Sequence, residues 1–416
     1  MSANLFNIHF ADLEGLVNPD FWDEFVVREA QKGQLQLISN SLYRFSDELT
    51  QLLHSRGRSE SVFIGLAQSA AINGCCALVK DKNYLVAINV GVVLRIRLIS
   101  QILYEVDSGN SDLFTYHDRD WIYHIFGYEV NEKDSTKIEK ISDAEKELDL
   151  LLQAARKIKE RLKHSKFLVP SFTELSATLS LAFIILHELH HVAFGHLARN
   201  NPNSQMYSRL WESGVNIQQE HYKFYQGIES CADYGAGKVA GLGFCDRSMF
   251  FSRYPLSVTD EVYCRFLSFS MKLSLSIIAF EVSYLDNKHQ FNTHPHPELR
   301  IFSFFDGVQD GISEVYPNVD SNWQDGIAQG YWAITNAFQK LRILEPIAWS
   351  WTSNLQAWDN KFFLSKSVQT ELENMSQNRF LAWKSCEAYH LPFMTGTRTL
   401  VNSVLTKHSH VATEDV

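Results

Sequence analysis

Apolar residues crowd the stretch 179–199, LSLAFIILHELHHVAFGHLAR, which has no Gly or Pro before Gly195. Pro170, then Ser171 and Glu174 at capping-box spacing, mark where a helix starts, and Asn200-Asn201-Pro202 mark where it stops. A helix that is apolar on nearly every face is a buried one. Helical spacing of apolar positions recurs in residues 1–60, over NPDFWDEFVVREAQ and SLYRFSDELTQLLHSR. It recurs over 91–106, 226–241, 266–284, 323–344 and 365–387, and residues 135–164 read as one long amphipathic helix with mixed charge outside. Between these, CCALVK and NYLVAINV flank the polar Asp81-Lys82-Asn83 and predict a β-hairpin. As a core hairpin it is purely structural; as a sheet edge it would add a strand of extended substrate. The elements together predict an α+β, predominantly helical fold. Its parts are an N-terminal helical segment (1–60), a central domain (61–310) and a C-terminal helical region (311–416).

Composition narrows the function class. The formal charge is −10 and no basic patch stands out, which excludes a nucleic-acid binder. Cys75, Cys76, Cys231, Cys245, Cys264 and Cys386 form no C-x-x-C pair, and the N-terminal residues lack a basic segment followed by an apolar one. A reducing, cytoplasmic location is therefore expected. No membrane span is expected either. Arg95 and Arg97 interrupt 84–104, Lys272 and Glu281 interrupt 266–284, and no window offers about 18 uncharged apolar residues. The tryptophans at 332, 349, 351, 358 and 383 read as core.

Within the buried helix stand His187, Glu188 and His191, an H-E-x-x-H. Residues four apart share a helix face, so the two histidines can grip one metal ion. Glu188 then stands beside that ion as a general base for water. With 16 His in 416 residues, such a motif arises by chance only about 0.04 times. Further on, Glu229, Ala232, Asp233, Ala236 and Ala240 share one face of the helix at 226–241. Small residues there permit close approach to a second helix. If that helix carries the motif, Glu229 becomes the third zinc ligand and Asp233 accepts a hydrogen bond from a ligating histidine. Two X-Pro steps hold the backbone extended around His294 and His296. His117, His124, His190 and His196 read as packing or supporting groups. His196 lies roughly opposite His187 on a straight helix and is no third ligand.

Three separated pieces, H-E-L-H-H-V-A-F-G-H at 187–196, E-S-C-A-D at 229–233 and T-H-P-x-x-x-x-R-I at 293–301, resemble the HtpX and CAAX-prenyl-protease type of zinc metallopeptidase. The likeness covers roughly 170–305. It implies a zincin-like catalytic core with a small β-sheet and flanking helices, with Zn2+ as cofactor. It assigns the metal to His187, His191 and Glu229, the catalytic roles to Glu188, His294 and Arg300, and the orientation of a ligand to Asp233. His294 and Arg300 would help hold substrate or the tetrahedral intermediate. Many members of that family are membrane-embedded, and this chain departs from them in showing no span. A looser similarity connects the chain to the Lit-type phage-exclusion peptidases.

The expected function is a zinc endopeptidase cutting an intracellular protein or peptide substrate, in a regulated stress or phage-defence role and with a regulatory protein partner. The alternatives are a zinc hydrolase acting on another bond, or a catalytically silent zincin-derived regulatory or binding module.

Overall fold

The computed structural model describes residues 46–67, 74–78, 83–107, 119–131, 134–141, 143–163, 170–199, 209–211, 222–243, 264–265, 268–271, 297–315, 322–341 and 366–391. Among these it is predominantly helical, with one four-stranded and one two-stranded sheet.

The larger sheet is built on β3 (Tyr84–Asn89), whose six residues YLVAIN are all buried. A strand covered on both faces reads as a continuous apolar run rather than an alternating one. β1 (Val62–Ala67) pairs with it in parallel, Val62 opposite Tyr84, and β2 (Gly74–Leu78) pairs with it antiparallel, Cys76 opposite Val86. The hairpin is thus present. Its outer flank is covered, because β6 (Arg209–Trp211) pairs with Cys75–Ala77 of β2. The sheet order is β1-β3-β2-β6, so neither hairpin strand is an edge and the strand-addition expectation fails for both.

A helix over 46–55, α1, precedes the sheet, and Ser46 bonds the Val62 carbonyl at 2.7 Å. α2 (Val90–Asp107) leaves β3 without a connecting loop. It buries Arg95 completely, with Nε donating to the Ile125 carbonyl at 2.7 Å and Nη2 donating to Glu147. α3 (Arg119–Ile125) leads to the hairpin of β4 (Tyr128–Asn131) and β5 (Asp134–Lys140), and then to α4 (Ala144–Leu162). This corrects the single helix expected over 135–164. The segment Asp134–Lys140 is strand, with Ile138 opposite Val130, and the helix begins only after Asp143, whose carboxylate accepts from the Lys146 amide at 3.0 Å. The charged alternation of T-K-I-E-K fits a pleated ribbon, and Asp143 supplies a new N-cap.

α5 (Pro170–Ala193) carries the motif and lies buried throughout its second half. It packs on α2, β2 and β3 on one side and on α7 (Tyr222–Gly243) on the other. It ends at Gly195, whose φ of 70° suits a glycine C-cap, followed by the single turn α6 (His196–Arg199). α8 (Pro297–Val315) crosses α7 so closely that a Cβ on Gly237 would lie 2.0 Å from the Phe304 carbonyl oxygen. α9 (Asn322–Leu341) packs on α2, and α10 (Lys366–Cys386) packs on α7. The expected helices at 91–106, 226–241, 323–344 and 365–387 are therefore present with slightly different ends.

One hydrophobic cluster runs from Leu49 in α1 to Leu391, just past α10. Trp332 and Trp383 are partly exposed, which corrects their assignment to the core: both lie on helices with one face outward. Trp349, Trp351 and Trp358, the helix expected over NPDFWDEFVVREAQ, and most of 266–284 lie outside the described residues. No helix among the described residues is long and apolar enough to cross a membrane.

Candidate metal centre

Side chains four apart on α5 meet one side chain from α7. His187 Nε2 lies 3.0 Å from Glu229 Oε2 and 3.1 Å from His191 Nε2, and His191 Nε2 lies 3.6 Å from the same carboxylate oxygen. All three residues are buried. The small-residue face of α7 makes this approach: Ala232 and Ala236 are fully buried, and a Cβ on Gly235 would stand 2.2 Å from the His190 ring.

The outer nitrogens of both rings are engaged, and this defines what the inner ones can do. His187 Nδ1 donates to Asp233 Oδ1 at 2.8 Å, so the neutral ring presents a lone pair at Nε2. His191 Nδ1 lies 2.8 Å from His196 Nδ1, and a proton there leaves Nε2 of His191 bare as well. With both protons on the outer nitrogens, two imidazole lone pairs and a carboxylate oxygen face each other. That donor set suits a cation. Tetrahedral coordination with bonds of about 2.0–2.1 Å sets donor atoms about 3.3 Å apart, and the three observed separations bracket that value. His187, His191 and Glu229 could therefore hold a metal ion, and they form the one such group among the described residues.

Asp233 is fixed from a third helix. Arg300 of α8 donates from Nε to Oδ2 and from Nη2 to Oδ1, both at 2.8 Å. Burial pushes the Asp233 carboxyl up, but the Arg300 guanidinium beside it and the hydrogen bonds from His187 and Arg300 hold it net below its ordinary range. The two helices can bring these groups together because glycines line their crossing: Gly237 and Gly241 on α7, Gly307 and Gly311 on α8, each against a carbonyl of the other helix. Ser230, next to Glu229, meets Ser303 of α8 at 2.6 Å. Phe183 walls the site, its ring 6.2 Å from that of His187 and edge-on to Phe304.

Arg300, expected at the substrate, has its guanidinium beside His187 and gripping Asp233. Glu188 is buried on the motif helix, next in sequence to His187. His294 lies outside the described residues, as do His117 and His296. His124 is half-buried on α3 and takes no part in the cluster.

His190 and His196 have distinct surroundings. His190 donates from Nδ1 to the Leu186 carbonyl at 2.6 Å, and burial drives its imidazole down to about 3. Burial lowers His196 well below its ordinary value too, so both rings are neutral. Sequence reasoning placed His196 in the supporting class without naming its partner. It did not find the two G-x-x-x-G steps at 237–241 and 307–311, although both are legible as a signal for close helix crossing.

No protein-family model matches the chain, and neither does any curated protein or any solved structure.

Proposed function

We propose that the chain is a zinc-dependent endopeptidase that hydrolyses an intracellular protein substrate. The observation that carries this reading is the buried triangle of His187, His191 and Glu229 with an ionisable Glu188 at the adjoining position of the motif helix. Zinc bound there would supply Lewis-acid polarisation of a carbonyl and acidification of water.

The chain's own groups supply the rest. Glu188 takes the proton as water adds to the scissile carbonyl carbon, then delivers it to the amide nitrogen as the C–N bond breaks. Asp233 keeps His187 in the tautomer with a bare Nε2, and Arg300 keeps Asp233 ionised in a buried place. The low-polarity wall of Phe183 and Phe304 strengthens every electrostatic interaction within the site. The choice of a peptide bond rests on the resemblance of the H-E-x-x-H, E-x-x-A-D and T-H-P-x-x-x-x-R pieces to zinc peptidases. His294 is assigned to the oxyanion on the same basis.

The test pairs metal content with turnover. Mass spectrometry of the purified chain should find about one zinc per wild-type chain and per Glu188→Gln chain, and none in Glu229→Ala. Wild type should cleave members of a peptide library that Glu188→Gln leaves intact. Zinc in both with no cleavage by either would replace the enzyme with a catalytically silent binding or regulatory module.

A further inference from the structure

The two histidines of the triangle are oriented by different partners. His187 has the Asp233–Arg300 pair, whereas the outer nitrogen of His191 meets another histidine: Nδ1 of His196, 2.8 Å away, with ring centres 5.1 Å apart. Both rings are buried. One proton lies between two nitrogens, and its owner decides whether a metal can bind. If His196 donates, a neutral His191 must carry its own proton on Nε2, facing His187 Nε2 at 3.1 Å, and that nitrogen has nothing to give a cation. If His191 donates, its Nε2 is bare.

We propose that His196 is a positioning residue of the metal centre: as the Nε2–H tautomer it accepts the Nδ1–H of His191 and so leaves Nε2 of His191 free to bind the ion. This rests on the reading of the triangle as a zinc site.

The fold holds His196 there with residues from the far end of the chain. Gly195, at a φ of 70°, turns the backbone out of α5 and packs so tightly under Tyr389 that a Cβ would lie 2.2 Å from that side chain. The Leu391 amide donates to the Ala193 carbonyl at 2.8 Å. Phe194 stacks edge-on to Trp383, ring centres 4.8 Å apart. His190, equally buried and next to His191 in sequence, bonds the Leu186 carbonyl of its own helix instead, so it serves as the internal comparison.

The experiment is zinc affinity, measured by competition with a chromophoric chelator, on wild type and three variants. His196→Phe keeps ring volume but offers no acceptor and should bind zinc about 10–100-fold more weakly, with an altered visible spectrum after cobalt(II) substitution. His196→Asn places a carbonyl oxygen near the old Nδ1 and should recover most of that loss. His190→Gln should bind like wild type. Histidine-selective 15N NMR of zinc-loaded wild type needs no variant and should find His196 protonated at Nε2. Unchanged affinity in His196→Phe, or an Nδ1–H His196 in the zinc-loaded chain, overturns the proposal while leaving the zinc site standing. No zinc bound by wild type removes the site itself, and the proposal with it.

Discussion

Arg300 holds Asp233 from behind the ring of His187. Its Nε and Nη2 each reach a different carboxylate oxygen at 2.8 Å, and one of those oxygens, Oδ1, also takes the His187 Nδ1–H at 2.8 Å. All three groups are buried, on three different helices. A two-pronged guanidinium matches a carboxylate in a way a lysine ammonium does not. The arrangement therefore fixes a ring and a charge together.

Breaking one side of this pair should cost more than removing both. Arg300→Met leaves the Asp233 charge buried with one partner, and we expect a loss of about 3–5 kcal/mol in unfolding free energy. Adding Asp233→Asn to it should return part of that loss. Urea denaturation of the two singles and the double provides the coupling energy. Strict additivity would mean that the two side chains do not act as one unit.

The crossing of α7 and α8 should be intolerant of a single methyl group. A Cβ on Gly307 would lie 2.0 Å from the Tyr234 carbonyl oxygen, and backbone cannot step aside as a side chain can. We expect Gly307→Ala to cost about 1–3 kcal/mol and to weaken zinc binding, since α8 carries Arg300. Gly57→Ala is the contrast. Its φ is 73° but nothing lies within 4 Å of the added carbon, so it bears only the backbone strain, about 1 kcal/mol, and should leave zinc binding unchanged.

The motif helix and its neighbour were legible because their signals are local. An H-E-x-x-H on an apolar helix and a carboxylate pair on a small-residue face each follow from a 3.6-residue period. That Glu229 meets His187, rather than solvent, needed only one correct guess about which helices touch. Arg300 was harder. Its position in the chain says nothing about whether its guanidinium reaches Asp233, because that depends on how far the Gly237 and Gly307 crossing lets α8 descend. The helix misread over 135–143 failed for a different reason. Mixed charge at short range supports either period, and the pairing of Ile138 with Val130 decided it. The covered flank of the hairpin depended on β6, three residues contributed from more than a hundred positions away.

His124 should give the protein a measurable pH dependence well away from the metal centre. Burial lowers its imidazole; Asp120 and Glu129 nearby pull it up, and Lys157 and Lys146 push it further down, for a net decrease. A histidine with a lowered folded value is protonated first in the unfolded chain, so stability rises with pH. The contribution is complete above the unfolded value of about 6.5 and is lost as pH falls through it toward the lower folded value. In His124→Phe the difference in melting temperature between about pH 5 and pH 7.5 should shrink. An identical difference in both proteins would mean that other groups carry the effect.

Three acceptors pointed at one another are a cost that a bound cation offsets, so the metal-free protein should be less stable than the zinc-loaded one. Zinc at a hundredfold excess over its dissociation constant adds about 2.7 kcal/mol to the folded state, and a chelator should remove it, lowering the melting temperature of wild type. Glu229→Gln should behave in the opposite sense. Its amide N–H can donate to the bare Nε2 of His187, now 3.0 Å from the carboxylate oxygen, replacing a repulsion with a hydrogen bond. Without metal it should exceed wild type by about 0.5–1.5 kcal/mol, and added zinc should do little for it. The expected order of stability is zinc-loaded wild type, then Glu229→Gln, then metal-free wild type. A metal-free wild type more stable than Glu229→Gln would mean that the triangle is held by a shared proton, with His187 donating to Glu229, and is not waiting for an ion.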